Sequence, residues 1–406
     1  MSARSWGVLA CASVALVAFA FQPSCSDSGT SSTDAGTDAP IVQACAVLPG
    51  PVVETVGSLS VGRHAPSVAA VSPGKILVAG GDDFTKGLAS SAELVEPMSS
   101  KFTATGGLEV ARKWSAVALV DPTHVMVSGG NAGASGAVAV TEIYDVAAAK
   151  FARTGNMGEA REAHTLTALK DGRLVAVGGF KDTTYSATAE AFDSKAGTFA
   201  PITSKMSTPR AFHVAGVADS GTTAFFAGGG TAADKETATI ETFDVAKSTF
   251  SVGPTTLLHP ARALATARLP NGSWLITGGS NVTDKTLSDA QTYEPNSGNV
   301  TKVSPMGTRR SGHTLTVLAD GRILAIGGYS DGTTPAKATN VMEVFDPSTG
   351  TWEQLPVGLA SPRLDHAAVL LPDCRVAVIG GEYAEEGKSP FATYDVELVT
   401  VPFIKR

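Results

Sequence analysis

Seven arginines recur along the chain at nearly one spacing: Arg63, Arg112, Arg161, Arg210, Arg262, Arg310 and Arg363. Guanidinium groups fork onto carboxylates, so a ring of them could read an anionic ligand such as an acidic peptide, a carboxylate or an acidic sugar. The competing reading is structural, with each arginine paired to an acid of its own repeat, such as Glu142, Glu190 or Glu241. Four histidines, His164, His213, His313 and His366, stand three residues after their arginines. Other units hold Pro66, Ser115 and Ala265 there. Imidazoles converging on one axis would suggest a metal. No H-x-E or C-x-x-C spacing supports that, and each ring is expected to hydrogen-bond backbone at a strand start. No metal and no cofactor are expected.

These residues must be positioned by repeated elements. Glycine doublets begin at Gly80, Gly129, Gly178, Gly228, Gly278, Gly327 and Gly380, with successive spacings of 49, 49, 50, 50, 49 and 53. Each lies 16 to 18 residues after an arginine. Before the doublet runs a short apolar strand opened by a turn, as in "DGRLVAVGGF" at 171–180. After it comes a second phrase: "ELVE" at 93–96, "EIYD" at 142–145, "EAFD" at 190–193, "ETFD" at 241–244, "QTYE" at 291–294, "EVFD" at 343–346 and "ATYD" at 392–395. Six residues beyond its acid stands Phe102, Phe151, Phe199, Phe250, Val300, Trp352 or Val401. Each unit therefore reads as four short strands. One such sheet cannot bury both faces, but seven stacked radially can.

The pattern resembles the kelch repeat: a glycine doublet ending the second strand, then an aromatic, then a Trp-like residue at a fixed distance. The resemblance covers about residues 52–401. It implies an all-β, seven-bladed kelch-type β-propeller with four-stranded antiparallel blades. The segment "VVETVGSLSVGR" at 52–63 aligns with "KFTATGGLEVAR" at 101–112, so the chain enters on a fourth strand with no first three. That strand is expected to complete the seventh blade and shut the ring. Cys45 precedes it, and Cys374 sits in the strand one–two turn of the seventh unit, so the two are expected to form a disulfide across the closure.

Residues 1–24 read as a signal peptide: Arg4, then an apolar run from Trp6 to Phe21. Cys25 follows, ahead of a Ser/Thr/Asp/Gly tether over 25–45, and the propeller occupies 46–406. This arrangement resembles a bacterial lipoprotein signal, which implies lipidation of Cys25; plain signal cleavage is the alternative. Either way the chain is expected to be exported from a bacterial cell, anchored in the envelope or surface by lipid or secreted. Only that lipid would touch a membrane.

The formal charge of −7 offers no basic field for nucleic acid. The expected activity is non-catalytic binding of a protein or glycan ligand, anionic if the arginines face it, by a monomer that uses the face of the strand two–three loops. The alternative is a carbohydrate-active enzyme, a galactose-oxidase-like oxidoreductase or a lyase, with its site at the channel mouth. Copper radical oxidases of that kind need Tyr, Cys and His ligands together, and Cys374 is the one cysteine inside the repeats. No G-x-S-x-G phrase points to a serine triad. Among the strand two–three loops, "YSDGTTPAKATN" at 329–340 reads as the longest. Trp114 and Phe212 are the best placed for sugar stacking.

Overall fold

The computed structural model describes Cys45, residues 50–331 and residues 337–404. The predicted signal peptide and most of the tether, including Cys25, lie outside the described residues.

Seven four-stranded antiparallel sheets form the seven blades. Blade three shows the pattern: Thr165–Ala168, Leu174–Val177, Ala189–Asp193 and Thr198–Ile202, paired in that order. The second strand is buried on both faces, which is why it reads as an unbroken apolar run. The fourth is mostly exposed. The apolar core therefore lies between blades. Val68, Ile76, Val78 and Val95 of blade one pack with Ala377, Ile379, Val396 and Leu398 of blade seven in one cluster.

The aromatic phrase is a cross-strand pair. Tyr144 opposes Phe151, Phe192 opposes Phe199, Phe243 opposes Phe250 and Phe345 opposes Trp352, with ring centroids 4.9–5.1 Å apart. Each such pair contributes roughly 0.5–1.5 kcal/mol beyond its buried area.

Blade seven corrects one alignment. Its third strand is Asp395–Thr400, not the "ATYD" phrase at 392–395. Glu397 holds the repeat's acidic place, and the matching phrase is "ELVT", a near copy of "ELVE" in blade one. Val399 opposes Val53, so Val401 is not the fourth-strand residue. The cause is a longer strand two–three segment; residues 380–394 of blade seven equal residues 327–341 of blade six in length.

The ring closes as the sequence predicts. Val52–Ser58 pairs antiparallel with Asp395–Thr400, from Val52 opposite Thr400 to Ser58 opposite Asp395. No open sheet edge remains at the join. Cys45 and Cys374 are disulfide-bonded, with Cα atoms 5.6 Å apart. Cys374 adopts φ +68°, where Gly172, Gly272 and Gly321 of other blades have φ +83° to +89°. Cysteine thus stands in a turn position that favours glycine. Among the described residues no helix is long and apolar enough to cross a membrane.

Candidate functional site

Six arginines, 63, 112, 161, 210, 310 and 363, are essentially inaccessible. Each meets the glutamate at the second or third residue of its own blade's third strand. Arg63 reaches Glu93 at 3.1 Å, Arg112 reaches Glu142 at 2.9 Å, and Arg161 and Arg210 reach Glu190 and Glu241 at 2.7 Å. Arg310 pairs with Glu343 and Arg363 with Glu397. Most also donate to the carbonyl of the first glycine of the doublet, as Arg161 does to Gly178 at 2.7 Å. The glutamates accept backbone N–H groups from the turn before the arginine, such as Ser207 on Glu241 at 2.7 Å. A buried pair satisfied on both sides in this way holds strand three against the strand four–one connection. Burial leaves these six guanidinium groups no surface to offer a ligand.

The glycine doublet completes the latch between blades. The second glycine donates its N–H to the carbonyl of the next blade's arginine: Gly81 to Arg112, Gly130 to Arg161, Gly179 to Arg210, Gly279 to Arg310, Gly328 to Arg363 and Gly381 to Arg63, all at 2.8–2.9 Å. The first glycine has φ near +60° and lies against the same carbonyl. A Cβ at Gly129 would stand 2.3 Å from the Arg161 oxygen and 2.7 Å from the His164 ring. Nothing larger than glycine fits.

Blade five departs from the rule. Gly229 donates to Ala261, not to Arg262, so Ala261 occupies the arginine's structural place and Arg262 lies one residue later. The glutamate is absent as well: Gln291 stands there and accepts from Leu258 N–H at 2.9 Å. Cation and anion are lost together, because either alone would be an uncompensated buried charge. Arg262 instead approaches Glu236 at 3.4 Å. Leu264, not Ala265, is the counterpart of the histidines, since its side chain packs on Gly228 as His213 packs on Gly178.

The four histidines hydrogen-bond hydroxyls of the preceding blade rather than backbone. Nε2 of His164 meets Ser128 at 2.9 Å, His213 meets Thr165 at 3.0 Å, His313 meets Thr277 at 2.8 Å and His366 meets Thr314 at 2.9 Å. Burial, aided by the neighbouring arginine, holds His164 and His366 down to about 3. They stay neutral in the folded protein, whereas the unfolded chain protonates them near 6.5. Their contribution is therefore complete above pH 6.5 and is lost as pH falls toward 3. Urea midpoints should drop steadily between pH 7 and pH 5, and His164→Gln should flatten the slope; a level wild-type profile would contradict this.

The residues beside the latch, termed the mouth here, come just after the arginine, or Ala261 in blade five, and just after the glycine doublet. In each blade the first of these forms a two-hydrogen-bond bridge with the second. These bridges join His64 to Asp82, Lys113 to Asn131, Glu162 to Phe180, Ala211 to Gly230, Arg262 to Ser280, Ser311 to Tyr329 and Leu364 to Glu382. The next residue in every blade has positive φ: Ala65, Trp114, Ala163, Phe212, Ala263, Gly312 and Asp365. Their backbones bond from blade to blade, as in Ala163 N–H to Trp114 and Asp365 N–H to Gly312, drawing a belt around the axis. Positive φ in residues as bulky as Trp114 and Phe212 is uncommon, and such strain clusters at sites of function.

The mouth is uneven. Acidic groups, with His64 and Lys113, gather on blades seven, one, two and three, while Arg262 of blade five pairs with Glu236. His64 Nε2 lies 3.1 Å from Asp365 and 3.6 Å from Glu382. Its ring stacks under Phe84 at 5.1 Å and meets the Trp114 edge at 5.7 Å. Lys113 binds Asp82 at 2.7 Å. Burial pushes the Glu382 carboxyl up to about 7 and also raises Glu162. Burial and Lys113 hold His64 well below the usual histidine value, so it is neutral. Phe212 continues the aromatic surface, 6.4 Å from Trp114. The sequence reading singled out Trp114 and Phe212 but passed over His64, Lys113, Glu162, Asp365, Asp82 and Glu382. Their signal was available: they vary in type beside positions that do not.

Residues 309–356 match the family model described as "Kelch motif". That match spans blade six, and the same latch of arginine, glutamate and glycine doublet recurs in six of the seven blades. The chain is a kelch-repeat β-propeller. No curated protein matches it in sequence. Among solved structures, the propeller is similar to a fungal alcohol oxidase of the AA5 family, in complex with copper, at 17% identity and TM-score 0.68, over 88% of this chain and 77% of that one. It is also similar to YjhT at 12% identity and TM-score 0.56, over 73% of this chain and 98% of that one. At these identities the likeness is one of fold.

A copper–tyrosyl centre does not fit this kelch propeller. Cys374 is disulfide-bonded and sits at the opposite end of strand Val376–Ile379 from the mouth residue Glu382. Among the described residues no group of three or more His, Cys, Asp and Glu side chains is arranged to hold a metal ion.

Proposed function

We propose that the propeller is an exported, non-catalytic binding module that takes a protein or glycan ligand on the face of the strand two–three loops. The observation that carries this reading is the contrast between latch and mouth. The latch repeats with one composition in six of the seven blades, while the mouth differs in every blade and gathers its acidic groups, with His64, Lys113 and Trp114, on blades seven, one, two and three. Specificity in a repeat scaffold belongs to such variable positions. The disulfide supports passage to an oxidising compartment, and lipidation of Cys25 would tether the module to the envelope. Capture of ligands from glycan and protein arrays by the purified propeller tests the reading. Wild type should retain a ligand class that Trp114→Ala loses; capture unchanged by Trp114→Ala contradicts it.

One observation favours the enzymatic alternative. A carboxyl group pushed up to about 7 beside a histidine and a second carboxylate is suited to proton transfer. It favours a lyase over an oxidoreductase, because the copper donors do not converge. Turnover of any glycan by wild type, lost in Glu382→Gln, would establish it.

A further inference from the structure

A cleft of about 200 Å³ opens where blades seven and one meet, on the face of the strand two–three loops. Phe391, Tyr394 and Asp395 of blade seven line it, with Asp83 and Thr85 of blade one and Ser361 of the strand four–one connection. Phe391 is 52% exposed, and its ring backs on Tyr383 at 5.1 Å. Asp83 is already engaged. It accepts from the Tyr394 hydroxyl at 2.8 Å and from Gly62 N–H at 3.1 Å, and Lys86 stands 3.8 Å away. It fixes the Tyr394 ring in place. Asp395 is different: among the described residues its carboxylate accepts one hydrogen bond, from Ser58 at 2.9 Å. Arg363 donates to the Asp395 main-chain carbonyl at 3.0 Å, and its charge is met by Glu397.

The other blades show what such a cleft takes. Ser361 stands two residues before Arg363, and Asp395 two before Glu397. The same two places in blade three hold Glu159 and Thr188, whose side chains bond at 2.7 Å. In blade five, counted from Ala261 and Gln291, they hold His259 and Asp289, and the imidazole Nδ1 meets the Asp289 carboxylate. The two places therefore face each other, and in blade five the aspartate at the second is met by an imidazole from the first. Blade seven keeps the aspartate but shortens its partner to serine. The room left beside Asp395 belongs to the cleft, and Phe391 and Tyr394 add aromatic rings to it. A planar nitrogen cation matches this lining, because it bonds a carboxylate through its edge and stacks on a ring through its face.

We propose that this cleft binds the planar cation of an arginine or histidine side chain on a protein ligand, with Asp395 as its acceptor and Phe391 as its stacking face. This rests on the reading of the strand two–three loop face as a binding face and adds a subsite to it between blades seven and one. The cation takes the place that His259 fills in blade five. A sugar ring would stack on Phe391 too, yet would leave Asp395 without the nitrogen donor that Asp289 has.

The test is ligand-observed NMR titration of the full chain at pH 6 with the Nα-acetyl methylamides of arginine, histidine, lysine and alanine, and with methyl glucoside. The arginine or the histidine amide should bind several-fold more tightly than the other three probes, and the tighter of the two names the side chain. Asp395→Asn should weaken it about tenfold and Phe391→Ala about threefold. Ser361→His rebuilds the blade five pair, so it should abolish binding while keeping the wild-type melting temperature or exceeding it. No binding of either planar cation, a match by the lysine or sugar probe, or variants that bind like wild type would each overturn the proposal. Where these probes fail yet Trp114-dependent array capture persists, the binding-module reading stands and this inference falls.

Discussion

Arg310→Ala should lower stability by about 3–5 kcal/mol, and adding Glu343→Gln to that chain should restore at least half of the loss. Arg310 is fully buried and donates to the Gly327 carbonyl at 2.8 Å, the Val341 carbonyl at 3.1 Å and the Glu343 carboxylate. Removing it alone leaves a buried carboxylate with only the N–H groups of Gly307 and Thr308 for company. Stripping one partner from a buried pair typically costs that much. Neutralising the orphaned acid removes the largest part of the penalty. Blade five is the natural precedent: Ala261 and Gln291 replace the pair, and Gln291 keeps the backbone hydrogen bond from Leu258. A double-mutant cycle by urea unfolding should therefore give a coupling of roughly 1.5–3 kcal/mol. Additive losses would show that arginine and glutamate act independently.

Breaking the Cys45–Cys374 bridge should be the second large effect. The two cysteines are 329 residues apart, and in the chain-entropy model closing so long a loop is worth on the order of 5 kcal/mol. The damage should be local in its first signs. Val52–Ser58 is held by pairing with Asp395–Thr400 on one side only, as the outer strand of blade seven. In Cys45→Ser, hydrogen exchange should accelerate in Val52–Ser58 ahead of the other fourth strands. Cys374→Gly should cost less than Cys45→Ser, by up to about 1 kcal/mol, because it also relieves the φ of +68°. Equal melting temperatures with and without reductant would show that the staple contributes nothing.

Much of the architecture was legible because a propeller writes its wedges repeatedly. The doublets are spaced evenly because each first glycine must admit the neighbouring arginine carbonyl. The entering strand was recognisable because 52–63 aligns with 101–112, with Gly57, Leu59, Val61 and Arg63 repeating Gly106, Leu108, Val110 and Arg112. Two misreadings share one cause: a repeat located by composition slips when a loop changes length. "ATYD" imitated the third-strand phrase, yet Tyr394 lies in the preceding segment and donates its hydroxyl to Asp83 at 2.8 Å. Arg262 imitated its neighbours, although one residue separates it from the structural position that Ala261 fills.

The site was less legible for a physical reason. Attention to repeated chemistry finds what every blade needs, which is the latch. A ligand needs the opposite: positions that the scaffold leaves free to vary. His64, Lys113 and Glu162 each follow an arginine by one residue and share no chemical type. Their convergence depends on the belt of positive-φ residues, which no periodicity in the sequence reveals.

The central claim is that the repeated arginines hold the ring while the variable mouth selects the ligand. It is tested most directly by ligand capture with two variants of matched stability, Arg310→Ala/Glu343→Gln and Trp114→Ala. Capture should persist in the latch variant and vanish in the mouth variant. Loss of capture in the latch variant with retention in Trp114→Ala would contradict the account.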